Sequence, residues 1–522
     1  MTQPWRSIVA LLALWGAAVG VGYPARASAQ DLVVGLSSFP SEALDPILGG
    51  QNIKFYLSLM FDYLVGATPD GQLSKDNGVA LQWEPSSDYR RWTFHLRRGI
   101  KFHNGDELTS EDVKFSIFRA MGKRSTTGYA GPLRALVQEI QTPAPDRVVI
   151  VTKEPTLIIP TYLSRTLSSE GMILPKKYTE AVGDDRFGQA PIGSGPYRFA
   201  EQVLGSHIKL QAVGSWRMAH PKYKTVTFKI MPEESTRIAM LRRGEVDLIE
   251  VSRDRAKEVQ AAGFPIVIRK EDAHLDVWWS LPWDSTPMHD RRVREALNLA
   301  LDRHEIAASV FGGLASPAAV PYGMSWAFPD VNFKLTPELM YPYDVERAKK
   351  LLAEAGYAGG FPLDIYAYQL PGLPEGRVLA EALGGYWQKI GVKPRIIPSD
   401  WGGYKKKWYD MSAPGAVAYW NMANRNWIGT FAAIEKMTSL TGKGTTARDQ
   451  ELGALVADVL RQTDRQKINA LMQRIFLRMR SEHMGVPLVY LHTPFATSKA
   501  IPKWNPGAIM YDLNIDELLA GK

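Results

Sequence analysis

The sequence predicts an α/β chain of two lobes, with an α+β accessory segment inserted in the first. Three observations lead there. The 522 residues exceed a typical domain of about 150, so several folding units are expected. Hydrophobic residues at 45% and charged residues at 22% match globular chains and exclude wholesale disorder. Short apolar strands alternate twice with helical patterns of roughly ten residues, as in βαβ units on a parallel sheet.

The N-terminus carries one early charge, Arg6, followed by an apolar run from Ile8 to Gly22. Those 15 residues fall short of the roughly 20 that a membrane-spanning helix needs. Ala27-Ser28-Ala29 then supplies the small-x-small pattern of signal-peptidase cleavage. Residues 1–29 are therefore expected to be a cleaved signal peptide, with Gln30 as the mature start. Cysteine is absent from the chain. That excludes a lipid-anchored cysteine, a disulfide framework, zinc–thiolate or iron–sulfur ligation and a thiol nucleophile.

Between about residues 54 and 185, alternating stretches such as Trp92–Arg97 and Val148–Val151 are broken by turn signals, Asn104-Gly105 among them. They suit an antiparallel accessory unit. Next, Val226–Met231 reads as a strand and Glu233–Arg243 as a helix ended by Gly244. Val246–Val251 is a strand, Arg253–Ala262 a helix ended by Gly263, and Pro265–Arg269 a strand. The same order returns later. Asp344–Ala355 is a helix closed by Gly356, and Pro362–Tyr368 a strand. Arg377–Ile390 is a helix closed by Gly391, and Pro394–Ile397 a strand. A short helix, Tyr404–Tyr409, leads to the strand Ala416–Trp420. Finally, Glu451–Leu460 repeats apolar residues at helical spacing, and Thr463-x-x-Gln466 has the form of a capping box for another helix.

The formal charge of +8 comes from 62 basic against 54 acidic residues, with the basic ones spread in pairs. No concentrated basic face or nucleic-acid-reading motif is present, and no nucleic-acid partner is expected. Nine histidines are scattered without a zinc-hydrolase spacing. Gly193-Ser194-Gly195 is preceded by Ile192, where a nucleophile elbow needs glycine. GxGxxG and Walker A patterns are absent. No catalytic residue, metal site or cofactor is expected.

Ordered motifs then resemble one family. Leu44-Asp45-Pro46, Trp92 through Gly105 (WTFHLRRGIKFHNG) and Leu108-Thr109-Ser110-Glu111-Asp112-Val113 open the series. Pro191 through Tyr197, Gly244-Glu245-Val246-Asp247-Leu248, Asp290 through Leu297 and Asp344 through Tyr357 continue it. The set resembles the family 5 extracellular solute-binding proteins, the oligopeptide-, dipeptide- and nickel-binding receptors of ABC importers, over nearly the whole mature chain. Most of these residues suit turns and caps: Thr109 can cap the following helix, and Gly193 and Gly195 permit a tight bend. The resemblance implies a two-lobed periplasmic-binding-protein fold, type II, of the large cluster C type, closing over ligand by a hinge of crossing strands. Residues 30–53, 186–273 and 490–522 would form the core of lobe 1, 54–185 its inserted subdomain, and 274–489 lobe 2. The crossovers are expected near Leu275–Leu281 and Val486–His492.

Ligands of open α/β sheets sit outside the carboxyl ends of the strands. That rule selects Trp401, past the Pro394–Ile397 strand, and Trp420, ending the Ala416–Trp420 strand. The resemblance agrees, because peptide-binding members carry two pocket tryptophans at this spacing of 19 residues. Asn421 joins them. Peptide binders place an aspartate three residues after the second tryptophan; here it is Ala423. Seven residues after the first, where some have a base, stands Trp408, leaving Arg425 to meet a carboxylate. Ser37, Ser38 and Phe39 follow the first mature strand, where family members touch ligand. Tryptophans at 278, 279, 283, 326, 401, 408, 420 and 427 suggest flat apolar walls.

The expected function is capture of a small polar solute, a peptide or peptide-like compound, in the periplasm. The expected partners are an inner-membrane ABC permease heterodimer and its ATPases, the binding protein itself being a monomer. An exported ligand sensor or chaperone-like receptor of the same fold, and a secreted hydrolase, are the alternatives.

Overall fold

In the computed structural model the described residues run from 31 to 515. Excepted are residues 40, 50–52, 168, 215, 217–220, 280–285, 322–326, 329–332, 335, 369–372, 411, 414–415, 423–426, 429, 432–433, 435–448, 502 and 510–511.

Local signals place most elements. Gly244, Gly263, Gly356 and Gly391 close the four predicted helices with φ of 72°, 84°, 87° and 92°, where a β-carbon is disfavoured. Thr109 caps the helix Ser110–Met121 in a reciprocal box with Asp112. The later box is displaced by one residue: Asp464, not Thr463, caps Arg465–Ser481, accepting from the backbone N–H of Gln466 and Lys467. A carboxylate is the stronger acceptor at a helix N-terminus.

Eleven strands form the main sheet. Numbered along the chain, they are β1 (Asp31–Leu36), β2 (Tyr197–Val203), β3 (His207–Ala212), β4 (Thr225–Ile230), β5 (Leu248–Glu250) and β6 (Ile266–Trp279). Then come β7 (Ala315–Pro317), β8 (Pro362–Ala367), β9 (Lys393–Pro398), β10 (Ala416–Met422) and β11 (Val486–Thr497). The spatial order is β9-β8-β10-β6-β11-β5-β1-β4-β3-β2, with β7 beside β11. Parallel β4, β1 and β5 form one lobe's centre and parallel β9, β8 and β10 the other's. Leu32, Val34 and Leu36 face one core with Tyr56, Phe228 and Trp504, so the C-terminal segment returns to the first lobe. Leu363, Ile365, Leu383 and Trp387 fill the second lobe.

The strands 80–85, 91–96, 147–152 and 137–144 pair antiparallel as a separate sheet. Val113, Ile117 and Met121 of the helix Ser110–Met121 share its core with Phe94 and Ile150.

Two long antiparallel strands, β6 and β11, belong to both lobes. Ile266–Arg269 pairs with Ala496–Thr493 in the first, and the ladder resumes at Ala273 opposite Leu491 in the second. At the break Glu271 has φ of 51°, a left-handed conformation that is rare away from glycine. Its N–H donates to His492 Nδ1 at 2.9 Å. The first crossing therefore precedes the expected Leu275–Leu281, because Leu275–Trp279 already pairs with β10. The break falls at Lys270-Glu271-Asp272.

Gly193 and Gly195 serve close approach, not a left-handed bend. A β-carbon on Gly193 would lie 1.9 Å from the Met60 carbonyl oxygen, and one on Gly195 2.4 Å from that of Leu59.

Candidate functional site

Strand direction locates the cleft. In the first lobe β1, β4 and β5 end at Leu36, Ile230 and Glu250. In the second, β8, β9 and β10 end at Ala367, Pro398 and Met422. Glu250 lies opposite Phe495 of β11, and Met422 opposite Ala273, itself opposite Leu491. Both carboxyl edges thus reach the same crossing, from opposite sides, over the bulge at 270–272. A solute held between them touches both lobes, at the place where open α/β sheets bind ligands.

At the first-lobe edge, Ser37 donates its backbone N–H and its hydroxyl to Glu250 Oε2, at 2.9 and 2.8 Å. Buried Arg237 ties the neighbouring strand ends together, donating to the carbonyls of Met231, Pro232 and Glu250. Ser38 is half-buried. Phe39 packs against Tyr56 with ring centroids 6.0 Å apart, and the Tyr56 hydroxyl donates to the carbonyls of Ser41 and Ala43. Of the three residues selected by the sequence here, Ser37 is tied to the end of β5 and Phe39 packs on the first-lobe core.

At the second-lobe edge, Asp400 caps the helix Trp401–Tyr409 by accepting from the Gly403 N–H at 2.8 Å. Trp401 is thus the first residue of a helix and not part of a loop. β10 continues to Met422, so Trp420 lies within the strand, opposite Leu275, and Asn421 lies opposite His274. The side chains of Trp401, Trp420 and Asn421, and all of Ala423 and Arg425, lie outside the described residues. Tyr404 stacks on Tyr368 at 5.6 Å and 16° and on Trp408 at 6.5 Å and 11°. Trp278, Trp279, Trp408 and Trp427 are core residues, buried in apolar clusters. Of the expected tryptophan walls, Trp283 and Trp326 lie outside the described residues.

Two further groups at the cleft escaped sequence reasoning. Glu250 ends β5, one residue before the predicted end at Val251, and the rule that selected Trp420 applies to it once the strand end is known. Arg253 follows the same strand; its Nε donates to the His492 carbonyl at 3.0 Å and its Nη1 reaches Glu375 of the other lobe at 3.2 Å. No sequence signal pairs residues so distant. Among the described residues no group of three His, Cys, Asp or Glu could hold a metal ion, and no helix is long and apolar enough to cross a membrane.

Residues 76–433 match the family model of the bacterial extracellular solute-binding proteins, family 5. The chain belongs to that family. The dipeptide-binding protein of Escherichia coli K12 is 29% identical over 384 residues, covering 68% of this chain and 69% of the relative. Heme-binding protein A of Haemophilus influenzae is 26% identical over 453 residues, 80% of each. The structure of NikA from Brucella suis in complex with Fe(III)-EDTA superposes with a TM-score of 0.79 at 21% identity, covering 94% of this chain and all of that one. HbpA2 from Haemophilus parasuis gives 0.79 at 23%, covering 93% and 98%. These likenesses show the two-lobed type II periplasmic-binding fold. The homologues of this family 5 chain are solute-binding receptors of ABC importers, found outside the cytoplasm.

Proposed function

We propose that this chain is the substrate-binding protein of an ABC importer, capturing a small polar solute between its lobes and delivering it to an inner-membrane permease. The convergence of both carboxyl edges on one pair of crossing strands carries this reading, and the family match supports it. Contacts made to both lobes only in the closed arrangement would shift the hinge equilibrium toward closure. Trp401, Trp420, Asn421 and Arg425 would meet the solute from the second lobe, with Ser37, Ser38 and Phe39 opposite. Relatives named for dipeptides, heme, nickel–histidine and opines set the ligand range, and a peptide or peptide-like compound fits it best. Ala423 offers an α-ammonium no counter-charge from that position, so an ordinary peptide amine is poorly served there.

The mature protein would be a periplasmic monomer starting at Gln30, working with a permease heterodimer and its ATPases and catalysing nothing itself. Native mass spectrometry of the purified mature chain, followed by melting shifts against a solute panel, tests this. A solute at 100 times its Kd should add about 2.7 kcal/mol of apparent stability. Turnover of a released product, in place of stoichiometric binding, would contradict it.

A further inference from the structure

Charged groups at the first-lobe edge of the cleft include Glu234, Arg237, Arg253 and Glu250, and the first three are tied to partners within the chain. Glu234 uses both carboxylate oxygens on Ser252, taking its backbone N–H at 2.6 Å and its hydroxyl at 2.8 Å. Arg237 spends its guanidinium on three backbone carbonyls. Arg253 spends its own on the His492 carbonyl and the Glu375 carboxylate. Glu250 differs. Both Ser37 donors converge on Oε2, while no donor among the described residues reaches Oε1. No described lysine, arginine or histidine forms an ion pair with it. Its side chain is half-buried, and two donors of Ser37 hold it over the end of β1, at the carboxyl edge of the first-lobe strands.

We propose that Glu250, positioned by Ser37, supplies the counter-charge for a cationic group of the bound solute, a primary ammonium or a guanidinium. A half-buried carboxylate with one oxygen anchored and the other open matches a charge-assisted hydrogen bond from such a group. Neither Arg237 nor Arg253 donates to the Glu250 carboxylate, so the positive charge comes from the ligand. This assignment rests on the solute-binding reading and narrows it to cationic or zwitterionic compounds.

The test uses the mature chain and its Glu250→Gln and Ser37→Ala variants, each checked for folding by circular dichroism and melting. Glutamine keeps an acceptor for Ser37 and removes the charge. Probes are matched pairs: trialanine with N-acetyltrialanine, and agmatine with uncharged N-butylurea, followed by calorimetric titration of whatever binds. The expected result is binding confined to charged members, weakened about thirtyfold or more in Kd by Glu250→Gln. Ser37→Ala, which keeps the backbone donor, should weaken it less. Equal Kd values for wild type and Glu250→Gln, or binding confined to uncharged members, overturn the assignment and leave solute capture standing. Silence across the panel overturns it for these two cationic classes; if native mass spectrometry also finds the folded protein without any retained solute, solute capture falls with it.

Discussion

Replacing Glu375 by glutamine should loosen the closed arrangement of the lobes. Arg253 stands just past β5 in the first lobe, and Glu375 precedes the helix Gly376–Gln388 in the second. Arg253 Nη1 lies 3.2 and 3.3 Å from the two carboxylate oxygens, with side chains only 5% and 11% exposed. Breaking a buried ion pair by removing one partner costs about 3–5 kcal/mol when the other charge is stranded. Here Arg253 keeps the His492 carbonyl and lies 6.0 Å from the Phe311 ring centroid, and glutamine keeps an acceptor. The contacts are also longer than the ~2.7–2.9 Å of strong charge-assisted bonds. A loss of about 1–2 kcal/mol follows. Because the pair joins the lobes, that loss falls on the closed state. The open-to-closed ratio should then rise about five- to thirtyfold, and the Kd of a closure-dependent solute with it. Small-angle scattering of wild type and Glu375→Gln, paired with calorimetric titration, measures both. Unchanged scattering together with unchanged Kd would refute the argument that this pair holds the lobes together.

Trp401→Ala and Trp420→Ala should each weaken solute binding by about 1–3 kcal/mol through lost aromatic contact, read by titration; two variants that bind like wild type would remove both residues from the site. Gly193→Ala should destabilise the fold by about 2 kcal/mol or more in urea unfolding, since its β-carbon would meet the Met60 carbonyl oxygen at 1.9 Å. His483 is buried near Arg291, Arg480, Arg294 and Arg347; burial followed by those charges outweighs the opposing Glu295 carboxylate, 3.4 Å from Nε2, and pushes its pKa down to about 3. The folded state thus resists a proton that the unfolded chain accepts near 6.5. The stability tied to neutral His483 is complete above pH 6.5 and lost progressively as pH falls toward 3. His483→Asn tolerates the left-handed backbone (φ 51°) and removes this titration. Urea unfolding at pH 6.5, 5.5 and 4.5 should show the wild type losing up to about 1.4 kcal/mol more per pH unit than the variant; parallel curves would contradict the assignment.

Where backbone chemistry is local, the fold was legible in the sequence. Four glycines mark four helix ends, and apolar alternation placed the βαβ strands within about two residues, except that Pro265–Arg269 is only the start of a strand running to Trp279; turn and cap preferences act over a few positions. What depends on pairing was not legible. The crossing at Lys270–Asp272 is hidden because hydropathy runs on through Leu275–Trp279, and only the ladder with β11 shows where one lobe ends. The requirement for glycine at 193 and 195 comes from a helix more than a hundred residues earlier. The tryptophan count could not separate pocket from core: Trp278, Trp279, Trp408 and Trp427 are buried in apolar clusters. Glu250 and Arg253 were visible as residues at a strand end. Their different commitments, one half-satisfied and one spanning the lobes, arise only when distant partners fold against them.

The most direct test of a two-lobed receptor is solution scattering of the mature chain before and after saturation with a solute whose stoichiometric binding native mass spectrometry has established. Closure about β6 and β11 predicts a smaller radius of gyration in the bound state. Superimposable profiles at full occupancy would contradict it.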